Sequence, residues 1–586
     1  MVQNFESNTL NGNHAPYRIL DQYHSKPSHV KVICAGAGMT GLYLAYRMQK
    51  TMKNYSLTIY EKNKELGGTW FENRYPGCAC DVPSHIYTYS FRPNPNVSNY
   101  YAGSAELLQY FKDFSDEFGL DKYIQYETKV LEAVYDEDEG IWNVRVAHAD
   151  GSEKWDTCHV FINAAGILNN YRWPDIPNRE GFQGKVLHTA AWDETVDWIG
   201  KKVAVIGTGS SAIQVTPKVQ QGSEKVTAFI RSPTWIAPQL GGLPSLDADP
   251  VKEGNTKVNN IMLRGSQPFQ FTEEDKEEFR KNPDLLLELR KKMELILCSH
   301  VDIFRVGTER QKQNEKYWLE QMMAKLKDHE ELRKRIVPNF PSGCRRLTPG
   351  QGYLEALLAD NVSQCYETIT EFTPKGLKTA DGQEHEFDLI ICATGFNVAF
   401  TPFFQLRGRN GQTIQDAWQD DPRAYLGIAA AGFPNCFTVL GPRGPWGNGS
   451  IIPAAEINID YILTMIGKMQ KQQIKSFEIR QEAVDDFCEH VDEWHKGSVW
   501  GSKCRSWYKR GADPNAKPLL WCGMSPSYYK TMRDVRLEDY KFEYKHRNRF
   551  AYLGNGHLRA DQLPEKERMM AITQYIRNSD EPWDLE

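Results

Sequence analysis

Two glycine-rich turns, about 170 residues apart, constrain what this chain can fold into more than any other feature. Each turn follows a short apolar run that predicts a buried strand, and each precedes a helical pattern and a second apolar run. This order of strand, turn, helix and strand is typical of parallel sheets that are covered on both faces. The sequence therefore predicts the α/β class, with two Rossmann-like dinucleotide-binding domains.

The first turn, GAGMTG, contains Gly36, Gly38 and Gly41. Gly36 allows the tight turn, Gly38 lets a pyrophosphate approach the backbone, and Gly41 lets the helix pack closely on the strand. The helix that follows presents free N–H groups to phosphates. Glu61 lies 20 residues after Gly41, where a carboxylate can accept hydrogen bonds from a ribose diol. The turn therefore predicts a dinucleotide site that suits FAD.

The second turn has the GxGxxA form and comprises Gly207, Thr208, Gly209, Ser210, Ser211 and Ala212. Its second strand ends in Arg231 and Ser232 rather than in an acid. A guanidinium can hold a 2′-phosphate through two hydrogen bonds, whereas a carboxylate would repel it. The alternative for Arg231 is an ordinary solvated arginine at a strand end. Two sites of unlike charge preference predict FAD in the first and NADPH in the second, with NADPH supplying hydride to the flavin.

The changes of pattern along the chain predict its domain boundaries. Charged, Leu/Lys/Glu-rich helical stretches interrupt the second nucleotide-binding unit, and the strand-like run FDLIICATGF returns to a sheet. The predicted parts are an N-terminal arm (1–28), an FAD-binding domain (29–175, continued in 392–586 with substrate and cofactor loops), an NADP-binding domain (176–244 and 341–391) and a helical insertion (245–340).

Composition excludes several other classes. The net charge of -6 gives no reason to expect nucleic acid as a partner, and no run of about 18 apolar residues predicts membrane insertion. The twelve cysteines are scattered, without a CxxC pair or a zinc-like spacing, so we expect no metal site. Scattered thiols and the lack of a signal-peptide pattern favour a cytoplasmic location. Nothing in the sequence indicates the oligomeric state.

Two longer motifs carry a resemblance to a known family. The stretch 182–193 fits FxGxxxHxxxW[PD] through Phe182, Gly184, His188, Trp192 and Asp193. The stretch 67–81 fits [AG]GxWxxxx[FY]P[GM]xxxD and ends at Asp81. Both patterns resemble signatures of the Baeyer–Villiger monooxygenases, and the resemblance extends over nearly the whole chain from about residue 29.

That resemblance implies a reaction. In the family, NADPH reduces FAD, O2 gives a C4a-peroxyflavin, and this attacks a small-molecule ketone to form an ester or lactone. Such chemistry needs a fixed cation near the developing oxyanion. The segment SGCRRL resembles the family's G-x-K-R segment, which assigns Arg346 as the catalytic cation and Asp81 as its partner. Without the resemblance, two adjacent arginines would more often be a solvated turn.

The resemblance also assigns cofactor contacts. It places Gly68, Thr69, Trp70, Asp81 and Tyr87 at the cofactors, Arg345 in the lysine position that reaches the 2′-phosphate, and Trp507 against the nicotinamide cofactor. The fingerprint around His188 is expected to couple the movement of the domains rather than perform bond chemistry, although His188 can also be a satisfied structural histidine.

Two stretches depart from the family pattern. Residues 511–517, GADPNAK, differ from GANxPGK in a loop that shapes the substrate pocket, so the range of substrates is open. Arg443 departs from a GPGSP-like turn of the family. This segment could lie at the flavin, or it could be a turn with no contact to the cofactor.

Three other classes of protein share parts of this pattern. A flavin-containing monooxygenase that oxygenates nitrogen or sulfur would share both nucleotide sites, but Trp192-Asp193, Asp81 and Arg346 favour ketone oxygenation. A flavin disulfide reductase would need a redox-active CxxC-type pair. A non-catalytic dinucleotide-binding module would not explain both signatures together with the arginine segment.

Overall fold

The computed structural model describes residues 17–237, 255–264, 269–298, 300–326, 329–510, 513–581 and 583. Parts of five expectations lie outside these residues. They are the arm before residue 17, the end of the first NADP segment (238–244), parts of the helical insertion, Gly511-Ala512 of the 511–517 loop, and residues 582 and 584–586 of the second FAD segment.

The first sheet has five parallel strands and carries the first glycine-rich turn. Its order is Cys436–Thr438, Val160–Asn163, Val30–Ala35, Tyr55–Tyr60 and Ile124–Gln125. Side chains that point to opposite faces, such as Ile33 and Cys34, are both fully buried, as expected for a sheet that is covered on both sides. The helix Met39–Thr51 follows the central strand, so its N-terminus lies at the carboxyl edge of the sheet.

The second sheet repeats this arrangement around the second turn. Its five parallel strands follow the order Val362–Cys365, Lys225–Phe229, Lys202–Ile206, Leu389–Cys392 and Lys185–His188. The helix Ser210–Gln220 starts after Lys202–Ile206. The predicted α/β class with two dinucleotide-binding units is confirmed. Within the strand-like run at 387–396, Leu389–Cys392 forms an internal strand of this sheet.

Smaller sheets flank the two large ones. The strands Thr128–Asp136, Ile141–His148 and Glu153–Cys158 form an antiparallel meander to which Gln405–Arg407 adds in parallel. The remaining sheets have two or three strands each: Ile236–Ala237 with Thr348–Pro349; Ile369–Thr373 with Gly376–Thr379 and Glu384–Glu386; and Ile474–Ile479 with Tyr540–Tyr544. The pairing of Ile236–Ala237 with Thr348–Pro349 brings the segment after Arg231 beside the segment after Arg346.

The helical insertion packs on both nucleotide-binding units. Its last two helices share a hydrophobic cluster with the second unit, in which Trp318 and Ile336 pack with Ile213, and its earlier part packs on the first unit. Arg290 donates hydrogen bonds to the carbonyl oxygens of His85 (2.9 Å) and Tyr89 (3.0 Å). Phe271 and Phe279 contact the buried His85 ring edge-on. Its helices are Thr256–Arg264, Glu273–Lys281, Pro283–Cys298, Glu309–Lys325 and Glu330–Ile336.

The other helices complete the two layers around the sheets. The long helix Ile451–Lys471 packs beside Met39–Thr51 and is buried along most of its length. The rest are Thr69–Glu72, Ser104–Phe118, Tyr353–Leu357, Ile414–Ala417, Gln481–His495, Ser525–Arg533 and Glu565–Ile572. Among the helices described, none is both long and apolar enough to cross a membrane.

The described part of the N-terminal arm is bound to the C-terminal region. The backbone N–H groups of His24 and Ser25 donate to the carbonyl oxygens of His557 (2.7 Å) and Tyr552 (2.8 Å). Backbone hydrogen bonds of this kind fix an extended segment over a surface without requiring regular secondary structure.

Candidate active site

The first glycine-rich turn is shaped by contacts that leave no room for a side chain. Gly36 has a φ of +108°, and a Cβ atom there would lie 2.7 Å from the carbonyl oxygen of Ala164. A Cβ atom on Gly41 would lie 2.2 Å from the carbonyl oxygen of Gly36. The helix Met39–Thr51 has no side-chain cap and no acid in its first turn. Its first N–H groups are therefore available to a phosphate.

The segment 67–70 lies against this turn, and Glu61 lies beside it. A Cβ atom on Gly38 would lie 3.8 Å from the Cα atom of Gly68, so two backbones without side chains face each other. The Glu61 carboxylate accepts hydrogen bonds from the N–H groups of Ala37 and Asn63, each at 2.9 Å, and its burial raises its pKa. These features fit a pyrophosphate and a ribose, as FAD requires.

Three further predicted residues surround this cradle. Thr69 begins the helix Thr69–Glu72 and is exposed. Trp70 is buried and meets the Tyr87 ring edge-on at 5.5 Å. Burial raises the pKa of Tyr87, so its hydroxyl stays protonated at neutral pH.

The second turn also leaves no room for a side chain at its first glycine, but there is more space around its second glycine. Gly207 has a φ of +126°, and a Cβ atom there would lie 2.4 Å from the carbonyl oxygen of Ala393. A Cβ atom on Gly209 would meet nothing within 4 Å, and the helix Ser210–Gln220 has no side-chain cap and no acid in its first turn. Thr208 donates to the carbonyl oxygen of Ser232 at 2.9 Å, which fixes the two ends of the predicted site to each other. Ser211 lies at the start of the same helix.

Arg345 reaches this second site. Its Nη1 donates to the carbonyl oxygen of Pro233 at 3.1 Å, and its guanidinium lies over the Phe340 ring at 4.9 Å. Its Nε atom is buried and has no hydrogen-bond partner. Burial, with smaller contributions from Arg231 and Arg505, lowers the pKa of Arg345 to about 10. An unpaired buried donor among like charges fits an anionic group such as the 2′-phosphate of NADPH.

Arg346 and Asp81 form a two-pronged ion pair. Nε and Nη2 of Arg346 donate to the two carboxylate oxygens of Asp81, each at 2.8 Å. The side chains are 22% and 25% exposed, so the pair faces a space that a ligand can enter. Burial alone would lower the pKa of Arg346, but Asp81 and Tyr508 raise it well above its ordinary value. Arg346 therefore remains charged at any pH at which the protein folds.

The C-terminal segment around Trp507 is attached to the arginine segment. Cys504 forms a disulfide with Cys344, with a Cα–Cα distance of 6.4 Å. The Tyr508 hydroxyl interacts with the guanidinium of Arg346, and Trp507 is half-buried against Trp446. No local pattern in the sequence indicates the disulfide or the contact of Tyr508 with Arg346, because the two cysteines are separated by 160 residues and neither has a motif of its own.

The second signature, residues 67–81, joins the two nucleotide-binding units. Tyr75 donates to the side-chain oxygen of Gln214 at 2.6 Å, and the Gln214 amide donates to the carbonyl oxygen of Ala79 at 2.9 Å. Gly77 has a φ of +83°, and a Cβ atom there would lie 2.5 Å from the carbonyl oxygen of Gln214. Gln214 belongs to the helix of the second turn, so the loop that carries Asp81 is positioned by both units.

Replacing Gly77 by alanine is therefore expected to lower the thermal midpoint of the holoenzyme. The positive φ costs about 1–3 kcal/mol for a non-glycine residue, and the contact with Gln214 adds to it. Gly119→Ala is the matched control, because Gly119 has a φ of +60° but a Cβ atom there meets nothing within 4 Å. Equal shifts of the midpoint in the two variants would show that the contact with Gln214 does not matter.

The fingerprint 182–193 forms a strand of the second sheet and the turn after it. His188 is fully buried, its Nδ1 accepts the N–H of Ala190 at 3.1 Å, and its ring stacks on Tyr171. Burial lowers the pKa of His188 to about 4, so the ring is neutral at pH 7.

The other fingerprint residues have structural contacts of their own. A Cβ atom on Gly184 would lie 2.5 Å from the Phe182 ring. Trp192 is buried against Trp198, and Asp193 accepts from the N–H and hydroxyl of Thr195. None of these contacts reaches Arg346 in the part of the chain that the structure describes.

Arg443 lies in a buried charge network rather than in an open turn. Its Nη2 donates to Asp421 (2.9 Å) and Asp492 (3.0 Å), and its Nη1 donates to the carbonyl oxygen of Pro422. Lys517 binds the same two carboxylates, and the backbone N–H of Arg443 donates to the carbonyl oxygen of Leu519. The network therefore fixes the described part of the 511–517 loop.

A cavity of about 570 Å³ adjoins that loop, and its lining includes Asn397, Asp421, Arg510, Asp513 and Lys517. Among the described residues that line it, neither Arg346 nor Asp81 occurs. We therefore place the reacting centre by the ion pair and the two cradles instead of by this cavity. Within the same part of the chain, no group of three or more His, Cys, Asp or Glu side chains is placed to hold a metal ion.

Two dinucleotide cradles of unlike charge, with an arginine–aspartate pair between their domains, define a flavin-dependent oxidoreductase. Comparison with known proteins narrows the class. The family model described as flavin-binding monooxygenase-like matches residues 29–243. The FAD-binding monooxygenase tazF of Aspergillus terreus is 38% identical over 550 residues, which cover 93% of this chain and 94% of that protein.

Two further matches are more specific. A Baeyer–Villiger monooxygenase of Streptomyces coelicolor is 31% identical over 519 residues, which cover 88% of this chain and 92% of that protein. The crystal structure of OTEMO in complex with FAD and NADP matches with a TM-score of 0.76 at 25% identity, over 88% of this chain and 100% of that one. The chain belongs to the Baeyer–Villiger monooxygenases, within the class B flavoprotein monooxygenases. The predicted activity, an NADPH-dependent flavoprotein monooxygenase with FAD and NADPH as cofactors, is confirmed.

Proposed function

We propose that Arg346, oriented by Asp81, is the catalytic cation for insertion of one oxygen atom of O2 beside the carbonyl of a ketone. The observation that carries the proposal is the two-pronged ion pair, which holds a permanent charge at a fixed angle in a half-buried position. FAD, when bound and reduced by NADPH, supplies the activation of O2. The product is an ester or a lactone.

The role of Arg346 is electrostatic. As the carbonyl carbon becomes tetrahedral, negative charge grows on oxygen, and a guanidinium nearby stabilises it. At about 4 Å and an effective dielectric constant near 20, one charge contributes roughly 4 kcal/mol, on the order of 10^3 in rate. Asp81 accepts hydrogen bonds from Nε and Nη2 of Arg346 and so fixes the plane of the guanidinium.

The two cradles have separate roles in this proposal. The turn at Gly36–Gly41, with Glu61 and the segment 67–70, binds FAD. The turn at Gly207–Ala212 binds the pyrophosphate of NADPH, Arg231, Ser232 and Arg345 bind its ribose phosphate, and Trp507 contacts its nicotinamide end. Support comes from the uncapped helices that start at both turns and from the unpaired Nε of Arg345.

In this proposal the fingerprint residues 182–193 have a positioning role and take no part in the bond chemistry. His188 is neutral and surrounded by protein, so it has no proton to give to a substrate at pH 7. We propose that it and the neighbouring Trp192-Asp193 turn couple movement of the NADP-binding domain to the rest of the chain. The supporting observation is the stacking of His188 on Tyr171, which lies in the connection between the two sheets.

Product analysis tests the choice of substrate class. Purified holoenzyme with NADPH and O2 is offered cyclic ketones, linear ketones and an aryl methyl sulfide under equal conditions. We expect ester or lactone from at least one ketone, with incorporation of one 18O atom from 18O2, and more slowly formed sulfoxide. Sulfoxide as the sole oxygenated product, with every ketone recovered, would favour nitrogen or sulfur oxygenation and refute the proposal.

We also propose that the protein works in the cytoplasm. Ten of the twelve cysteines are unpaired, and most of these ten are buried; the pair Cys344–Cys504 is the exception. A majority of buried free thiols is typical of proteins that fold where most thiols stay reduced. Imaging of a tagged full-length chain in its native cell tests this proposal, and accumulation inside an organelle or outside the cell would contradict it.

A further inference from the structure

Three arginines from distant parts of the chain meet at the mouth of the second cradle. Arg231 follows the strand Lys225–Phe229 and is exposed, and Arg345 donates to the carbonyl oxygen of Pro233, two residues further on. The disulfide between Cys344 and Cys504 then brings in a third segment, because Arg345 and Arg505 each directly follow one of its two cysteines. We call Arg231, Arg345 and Arg505 the arginine cluster.

The arginine cluster lacks a balancing acid. In the parts of the chain that the structure describes, no carboxylate oxygen lies within 4.0 Å of a guanidinium nitrogen of these three residues. The Nε of Arg345 is buried without a partner, and Arg231 and Arg505 both act to lower the pKa of Arg345. Three positive charges held close together repel one another, and a dianion that binds between them removes this repulsion.

We propose that Arg505 is a specificity-determining residue for the nicotinamide cofactor: together with Arg231 and Arg345 it binds the 2′-phosphate of NADPH and sets the preference for NADPH over NADH. The inference deepens the proposed role of the Gly207–Ala212 turn and rests on it. The disulfide is what makes Arg505 effective, because it fixes an exposed arginine of a loop at the segment that carries Arg345.

The test compares affinities for two cofactors that differ only in the 2′-phosphate. Binding of NADP+ and of NAD+ to FAD-loaded enzyme is measured by calorimetry at fixed ionic strength. Arg505→Ala is expected to weaken NADP+ binding roughly tenfold, the size of one charge-assisted contact, and to leave NAD+ binding unchanged. Arg505→Lys should fall between the two, because it keeps the charge but loses the planar fork.

Lys503→Ala is the matched control. Lys503 is an exposed cation on the other side of Cys504, so its removal changes the net charge of the same segment equally. We expect it to leave both affinities unchanged. Should Arg505→Ala accumulate poorly, Arg505→Gln, which keeps most of the side-chain length, takes its place in the same titration.

The titrations distinguish a failure of the role of Arg505 from a failure of the proposed NADPH site at the Gly207–Ala212 turn. An unchanged NADP+ affinity in Arg505→Ala, or an equal loss for NADP+ and NAD+, overturns the role of Arg505. Arg231→Ala is measured alongside. If it weakens NADP+ binding while Arg505→Ala does not, only the inference fails; if neither variant affects NADP+, the 2′-phosphate is not bound at this turn and both fail.

Discussion

Arg346→Ala is expected to form no measurable ester, a loss of at least about 10^3-fold, while it still binds FAD and still oxidises NADPH. The reason is that the charge of Arg346 acts on the oxygen-insertion step, whereas the FAD and NADPH cradles are built from other residues. Three readings check this: the absorbance of bound FAD, the rate of its reduction by NADPH without O2, and ester yield by gas chromatography. Because reduction is uncoupled from insertion, we expect NADPH consumption to release hydrogen peroxide.

Two further variants make the result specific. Arg346→Lys keeps a positive charge but lacks the planar fork that pairs two nitrogens with the two oxygens of Asp81, so we expect a partial loss. Arg335→Ala removes an exposed arginine that lies over Tyr366, and it should behave like the wild type. Ester yield at the wild-type level in Arg346→Ala would remove Arg346 from catalysis.

Arg443→Ala is expected to have the largest effect on stability, a loss of about 3–5 kcal/mol in the free energy of unfolding. Arg443 is fully buried, and its removal leaves Asp421 and Asp492 facing each other without their shared partner. Lys517, which is 56% exposed, compensates only in part. Thermal unfolding of the holoenzyme, followed by the fluorescence of released FAD, measures the loss.

Arg423→Ala is the control for Arg443, because Arg423 also pairs with Asp421 but is 33% exposed. An exposed pair contributes about 0–1 kcal/mol, so the midpoint of Arg423→Ala should stay close to that of the wild type. Midpoints that fall equally in both variants would show that burial of Arg443 does not decide its contribution.

The stabilisation by Arg443 should also depend on pH. Burial acts to raise the pKa of Asp421, but Arg443 and Lys517 outweigh it, so the pKa lies below its ordinary value. A carboxylate with a depressed folded-state pKa stabilises the protein above its unfolded pKa, and this contribution disappears as pH falls through the folded pKa. We therefore expect the difference between wild type and Arg443→Ala to narrow in acid.

Several features of the site could be read from local spacing. Glycine is needed at positions 36, 41 and 207 because a Cβ atom there would lie too close to a carbonyl oxygen. The strand–turn–helix pattern in the sequence predicts this requirement. Arg346 and Asp81 were paired through a resemblance to family motifs, since 265 residues separate them and no local pattern connects them.

Other features had no local signal. Arg443 lies in a turn motif with a φ of +64°, and only its burial among Asp421 and Asp492 accounts for a residue other than glycine there. Arg505 acquires its neighbours through a disulfide between residues 344 and 504. Gln214, in the middle of a helix, positions the loop before Asp81 only because two domains meet there.

The sequence by itself determined the two nucleotide-binding units, their unlike charge preference and the family, because backbone sterics and helix N-termini act within a few residues of one another. Only the tertiary structure decided which charges meet: Arg346 with Asp81, Arg345 with Arg505, and Arg443 with its two aspartates. The physical reason is that electrostatic energy depends on distance and burial in space, and neither can be inferred from separation along the chain.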